Sequence, residues 1–409
     1  MNLPTPGGAM DPTIPERLHA WRDATPGTRA VTHLNSAGAS LMPQPVIDAM
    51  AAQLHHEVTM GGYEAEAAAA ADIATTYATL GELVGAEARN IALAPSSSQA
   101  FLNAIASVDW SPGEVLLTSR LDYTSQQILY LSLALRLGVR VVTAPDLPEG
   151  GVDPQGVIEL LDDERPRLVA MSWVPTHAGT VQDLPAVGRA CQAAGVPFIV
   201  DACQAVGQFP LDVAELHCDY LSSTGRKWLR GPRGIGFLYV SDAALARGDA
   251  PLHIDMRGAT WATANAMTLA PDARRFEEWE HSWINVLGLG AAARYALDVG
   301  LDVARDRARG FARELRSWAS EIDGLRPIDR GSDLSAIVTI EVAGREAAPI
   351  VLQLRKEGIN TSATLQWFGL ADLGPRGIES AIRVSPHYFN TEAEVSQFKE
   401  GLLAVMGGG

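Results

Sequence analysis

Between residues 115 and 240, short and almost wholly apolar runs alternate with helix-like stretches. This alternation constrains the fold more than any other feature. The runs are VLLTS at 115–119, VRVVTA at 139–144, RLVAMSW at 167–173, PFIVDA at 197–202, DYLSST at 219–224 and GIGFLYV at 234–240. A strand with one face in water alternates apolar and polar residues. These runs do not alternate, so helices must cover both faces of their sheet. The expectation is an α/β domain on a parallel or mostly parallel sheet. Ligands of such sheets settle at the carboxyl ends of the strands, which singles out the polar residues that close the runs.

After about residue 288 the pattern changes. A long helical stretch leads into IVTIEVAG at 337–344, then come a helix near 349–357, a Gly/Thr/Ser-rich segment, AIRVSP and a last helix from Thr391. This reads as a second, smaller α+β unit, and 409 residues suit a large domain plus a smaller one. The expected organisation is a flexible arm at 1–16, a segment at 17–45 packing with the small domain, a large domain at 46–287 and a small one at 288–409. The run EAEAAAAADIATTYATLGELVG at 64–85 reads as one helix ending at glycine, and residues 407–409 as a frayed end.

A net charge of −16 disfavours nucleic acid and anionic lipid as partners, so any bound phosphate needs a local pocket. No apolar stretch reaches the roughly 20 residues of a membrane helix. The opening MNLPTPGGAMDPTIPERL has neither a cationic start nor an apolar stretch, so a cytoplasmic protein is expected. Three cysteines in so long a chain make no disulfide framework, and no His/Cys grouping suggests zinc.

The densest polar segment runs from 200 to 240. Asp201 ends a buried strand, where a carboxylate is costly without a cationic partner. Lys227 lies in the polar turn Ser-Ser-Thr-Gly-Arg-Lys. Alone, the Asp reads as a helix cap and the Lys as a solvated side chain. Together at a sheet crevice they suit pyridoxal phosphate (PLP): the carboxylate pairs with the ring nitrogen and the amine takes the aldehyde.

This segment resembles the active-site core of the class V aminotransferase-like enzymes, the family of cysteine desulfurases and selenocysteine lyases. Their pattern is Asp-x-x-Gln, a strand, Ser-x-His-Lys or a relative, then Gly-Pro-x-Gly-x-Gly. Here it reads Asp201, Gln204, Thr224-Gly225-Arg226-Lys227 and Gly231-Pro232-Arg233-Gly234-Ile235-Gly236. The resemblance extends from His33 to about Leu403. It implies PLP fold type I, with a large domain on a mostly parallel seven-stranded sheet and a smaller C-terminal α+β domain. It also implies a small amino-acid substrate, a homodimer with active sites at the interface, and a Schiff base on Lys227.

Further positions carry over one at a time. Ser97 and Ser98, in APSSSQAFLNA, fall on the phosphate loop, where small hydroxyl residues opening a helix suit a phosphate. Thr224 and Arg226 complete that site, with Arg226 where desulfurases carry His; its fork can donate two bonds. Tyr123 falls on the aromatic residue that stacks on the ring, where desulfurases use a His that assists proton transfer at sulfur. Thr176 stands where the family has an Asn near the ring hydroxyl, and Gln204 is expected on the same oxygen, with neighbouring His177 structural. Arg383 matches the arginine that clamps the substrate carboxylate, and Asn35 lies in the N-terminal substrate-contacting motif.

The chain also departs from the desulfurase pattern. GINTSATLQWFG at 358–369 has no cysteine where desulfurases carry their nucleophile, so a persulfide-forming desulfurase is not expected. RRFEEWEHSW at 274–283 replaces Arg-Phe-Glu-x-Gly-Thr, and Glu280 stands near the Thr that reaches the partner's phosphate. HEVTMGGYEAEAAA, RGATW and RRFEEWE together resemble a narrower branch: the C–S lyase of ergothioneine biosynthesis and relatives in sulfur-antibiotic pathways. That implies a β-lyase that turns an S-substituted cysteine into a thiol or sulfenate, pyruvate and ammonia. Epimerisation, as in isopenicillin N epimerases, remains an alternative. So do transamination, decarboxylation-coupled deamination, and a non-catalytic module on a PLP fold. Trp367, Trp261, Trp283 and Tyr63 lie in segments able to wall a substrate pocket.

Overall fold

The computed structural model describes residues 14–407, so most of the expected N-terminal arm and the last two glycines lie outside the described residues. Residues 14–16 already belong to a helix, Ile14–Asp23.

Seven strands form the central sheet: β1 (Ile91–Ala94), β2 (Val115–Thr118), β3 (Arg140–Thr143), β4 (Leu168–Ser172), β5 (Phe198–Asp201), β6 (Tyr220–Thr224) and β7 (Gly236–Val240). Their order is β1-β7-β6-β5-β4-β2-β3. All pairings are parallel except those of β7, which runs antiparallel to β1 and β6. Strands β2, β4, β5, β6 and β7 are buried along their whole length, as runs of Val, Ile and Leu without alternation require. The edge strand β3 is partly exposed and carries Arg140, a charge that discourages further pairing. The six apolar runs lack β1, whose IALA is short and stops at Pro95.

A four-stranded antiparallel sheet builds the smaller unit: β8 (Leu325–Pro327), β9 (Val338–Val342), β10 (Ser362–Leu365) and β11 (Ser380–Val384), in the order β8-β9-β11-β10. The expected boundary at 287/288 falls inside the helix Trp283–Val299, which packs on helices Gln44–Met60 and Ala70–Val84. The chain turns only at Gly300. Tertiary packing on the large unit, not a composition shift, sets that border. The Ala-rich run is likewise two helices, Gly62–Ala68 and Ala70–Val84, which meet at Ala69. Alanine carries no local signal for such a bend; Ala65 and Ala69 are both buried, so packing imposes it.

Two devices position the Lys227 turn. The first follows β5. Gly207 has φ +84, and a Cβ there would lie 2.6 Å from the backbone of Trp228 and Leu229. Only glycine tolerates both the left-handed backbone and that approach. The segment after Asp201 thus rests directly on the residues after Lys227. The Trp228 indole N–H also donates to Gln204 Oε1 at 2.8 Å.

The second device is the buried Arg230. Its guanidinium donates to Leu41 O at 2.8 Å, to Thr25 Oγ1 at 2.6 Å and to the Tyr388 hydroxyl. It also lies 4.4 Å from the centroid of the Phe389 ring. The N-terminal segment reaches the smaller unit as well: Thr32 and His33 pair with Ile359 and Asn360, and Arg22 meets Glu394 at 2.9 Å.

Gly207→Ala should lower stability by about 2–4 kcal/mol, because it adds a backbone clash to an unfavourable φ. Urea denaturation of the purified protein checks this, and an unchanged midpoint would refute it.

Candidate active site

A cavity of about 280 Å³ opens at the carboxyl ends of β5 and β6. Ser97, Ser98, Tyr123, Asp201, Thr224, Arg226 and Lys227 all line it. Asp201 is the last residue of β5 and Thr224 the last of β6, so the sheet itself sets their separation. Lys227 follows β6 by one turn and is buried. Its Nζ lies 5.9 Å from the centre of the Tyr123 ring. Burial lowers the Lys227 ammonium below its ordinary value; the Cys203 and Asp201 side chains raise it, and Arg226 and Arg383 lower it further.

The phosphate-loop serines open the helix Ser97–Ile105. Its N-cap is Ser96, whose hydroxyl accepts from the Gln99 amide at 3.1 Å. The first intrahelical bond runs from Ala100 N to Ser96 O. The amides of Ser97 and Ser98 precede it and point out of the helix end, as anion sites require. Gly236 lets β7 approach this end: a Cβ there would sit 3.0 Å from Ser97 N and 2.4 Å from Ser223 O. The Ser97 hydroxyl is itself engaged with Ser222 Oγ at 3.1 Å, which leaves its amide as the donor for a ligand.

Gln204, Thr176, Arg383 and Asn35 form a second cluster beside the cavity. Gln204 Nε2 reaches Thr176 Oγ1 at 3.3 Å and Ala37 O at 3.1 Å. With its Oε1 taken by Trp228, Gln204 is committed to protein partners. Arg383 donates from Nη1 to Thr176 O at 2.9 Å and from Nη2 to Asn35 Oδ1 at 3.3 Å. Its Nε is buried without a partner. Burial, with Arg226 nearby, pulls the Arg383 guanidinium down to about 10, still charged at neutral pH. His177 is buried and meets Asp372 at 3.3 Å.

Several residues were not legible from motif matching. Gln126 lines the cavity and donates to Asp201 Oδ2 at 2.6 Å, while the Cys203 amide donates to Oδ1 at 2.9 Å. Gln three residues into a helix reads as an N-terminal cap, and that was the only signal available. Cys203 and Arg233 also line the cavity. Glu280 is exposed and does not line it. Trp261 and Tyr63 are exposed and Trp283 is buried against His281. Trp367 stacks on Phe368 at 4.1 Å; none of the four lines the cavity.

The donor set fits a phosphorylated pyridine aldehyde. It offers a buried amine, a carboxylate with each oxygen already oriented, and free amides beside cations. No carboxylate lies within 4.0 Å of Arg226, Lys227 or Arg383 among the described residues, in a chain of net charge −16.

The aminotransferase class-V profile matches residues 32–398. The chain belongs to that family. Class-V enzymes depend on PLP, and PLP is the cofactor of this chain. The chain is 28% identical over 400 residues to a probable hercynylcysteine sulfoxide lyase of Mycobacterium tuberculosis, covering 97% of this chain and 95% of that one. It is 25% identical over 400 residues to a probable cysteine desulfurase of Methanothermobacter thermautotrophicus, covering 96% and 99%. Among solved structures, a cysteine desulfurase of Thermococcus onnurineus superposes with a TM-score of 0.86 at 22% identity, over 95% of this chain and 98% of that one. A cystine C–S lyase superposes with 0.82 at 21%, over 92% and 98%. The large sheet and smaller antiparallel unit are thus the class-V fold.

PLP added to the apoprotein should develop its visible chromophore faster as pH rises, with a midpoint below the ordinary lysine value of 10.5. Lys227→Ala should develop none. Stopped-flow absorbance checks both, and a chromophore on the variant would exclude Lys227.

Proposed function

We propose that this class-V enzyme is a C–S β-lyase. It would cleave an S-substituted cysteine or its sulfoxide to a thiol or sulfenate, pyruvate and ammonia, without a persulfide on the protein. The observation that carries this reading is the state of the cysteines. Cys203 alone among them lines the cavity. Burial, and then the Asp201 carboxylate, push its thiol up to about 12, so it is protonated and a poor nucleophile at neutral pH. Cys191 and Cys218 are buried in the large unit, their thiols likewise raised by burial. The segment at 358–369 offers none. The sulfoxide lyase relative supports the same branch.

When bound, PLP supplies the electron sink for the substrate's Cα. The chain's own residues do the rest. Ser97, Ser98, Thr224 and Arg226 would hold the phosphate, and Asp201 the ring nitrogen. Tyr123 covers the ring face. Thr176 and Gln204 would stand on the side of the ring hydroxyl, with Gln204 held by Trp228 and Ala37. Arg383 would bind the substrate carboxylate, with Asn35 and the Thr176 carbonyl fixing the plane of its guanidinium. Lys227 would take the Cα proton; its burial favours the neutral amine that a base must be. The Cβ–S bond then breaks with its electron pair on sulfur. The 2-aminoacrylate left behind is hydrolysed to pyruvate and ammonia.

A homodimer belongs to this reading. The hairpin Ala259–Leu269 presents Trp261 at 79% and Met267 at 57% exposure, and Leu252, Met256, Val58 and Tyr63 are also bare. Apolar exposure on this hairpin and the neighbouring segments supports a partner surface. A monomer in light scattering at micromolar concentration would contradict it.

A panel of S-substituted cysteines should yield pyruvate in stoichiometry with the sulfur product, and Cys203→Ser should keep that activity. Alanine with a protein-bound persulfide would make the enzyme a desulfurase. Deuterium entering recovered substrate without product would make it an epimerase. Separately, Arg383→Lys should raise KM by about 10–100-fold through loss of the guanidinium fork. A KM unchanged in steady-state assays would remove Arg383 from the carboxylate site.

A further inference from the structure

We propose that Gln126 is a positioning residue for the cofactor: one buried amide that sets both the carboxylate at the ring nitrogen and the aromatic residue on the ring face. This rests on the reading of Asp201 as the partner of that nitrogen.

Gln126 sits in the first turn of the helix Thr124–Leu137, which follows β2. Its side chain crosses the end of β4 to reach the end of β5, so two neighbouring strand ends and the start of its own helix meet on it. Oε1 accepts from the Tyr123 backbone N–H at 3.0 Å and from Ser172 Oγ at 3.1 Å. Because those groups donate, the amide cannot flip, and Nε2 must face Asp201 Oδ2. Ser172 is fixed in turn: its own amide donates to Asp122 Oδ1 at 2.7 Å. Asp122 is buried and also accepts from the hydroxyls of Thr118, Ser119 and Tyr130.

The consequence is a shared reference. The N–H that holds Oε1 belongs to Tyr123, whose ring borders Lys227. The opposite end of the same amide holds Asp201. The spacing between ring face and ring edge is therefore set through one planar group. A glutamine suits the post because it donates without titrating. A carboxylate there would share a proton with Asp201, as close carboxyl pairs do.

The test uses reconstituted full-length enzyme and four proteins: wild type, Gln126→Leu, Gln126→Glu and Asp201→Asn. PLP affinity is measured by equilibrium dialysis, and the visible absorbance is titrated with pH. Gln126→Leu should bind PLP about tenfold or more weakly, the effect of losing a hydrogen bond to a charged group. Gln126→Glu keeps the shape and should add a titration step to the visible spectrum that the wild type lacks. If Gln126→Leu does not fold, the Glu variant decides alone. Wild-type affinity in the Leu variant, or no added step in the Glu variant, overturns the proposal. If Asp201→Asn titrates like wild type, the assignment of Asp201 has failed and this one with it. If only Asp201→Asn departs, the role of Gln126 alone has failed.

Discussion

The site is organised around positive charge that the protein itself does not neutralise. Arg226, Lys227 and Arg383 stand together with no carboxylate within 4.0 Å among the described residues, although the chain carries an excess of acids. Burying a cation costs several kcal/mol when no opposite charge answers it. Backbone carbonyls share that cost: Gly38 O accepts from Arg226 and Thr176 O from Arg383. Carbonyls orient a guanidinium but cannot cancel its charge. A phosphate and a carboxylate can, so the pocket favours ligands that bring both. Burial is the largest influence on the Lys227 ammonium and lowers it; the Cys203 and Asp201 side chains oppose this, and Arg226 and Arg383 add to it.

The segment that departs from the desulfurase pattern is also firmly fastened. Thr124 Oγ1 donates to Phe368 O at 2.9 Å, and Trp367 stacks on Phe368. Farther along, Asp372 is held by His177 and by Arg376 at 2.8 Å, while Arg376 also reaches Ile328 O. The end of this thiol-free segment is thus tied to the helix Thr124–Leu137 beside the cavity.

Much of this was readable in the sequence, and the remainder has a common reason. Apolar runs without alternation specified strands covered on both sides, and Asp201 and Lys227 closed two successive turns of that pattern. The residues that were missed act through tertiary contacts with no local signature. Gln126 is indistinguishable from an ordinary cap until β4 and β5 are placed beside its helix. Strand β1 lies ahead of the βα alternation that marked the others, and it joins the sheet through its antiparallel pairing with β7. The expected boundary at 287/288 falls inside a helix that packs on helices Gln44–Met60 and Ala70–Val84, contacts that composition does not announce. Gln204 lay where the motif required, but its bonds to Trp228 and Ala37 are invisible in a one-dimensional pattern.

Arg230 has a bearing on how the molecule is made. Its ligands come from residues 25, 41 and 388, nearly the two extremes of the described chain, and it sits three positions after the lysine. The turn is therefore clasped only when both extremes have arrived. A nascent chain still tethered short of Tyr388 would hold every strand of the main sheet yet leave that cation without its last ligand. Competence to capture the vitamin would come late in biosynthesis, as the final stitch of the topology.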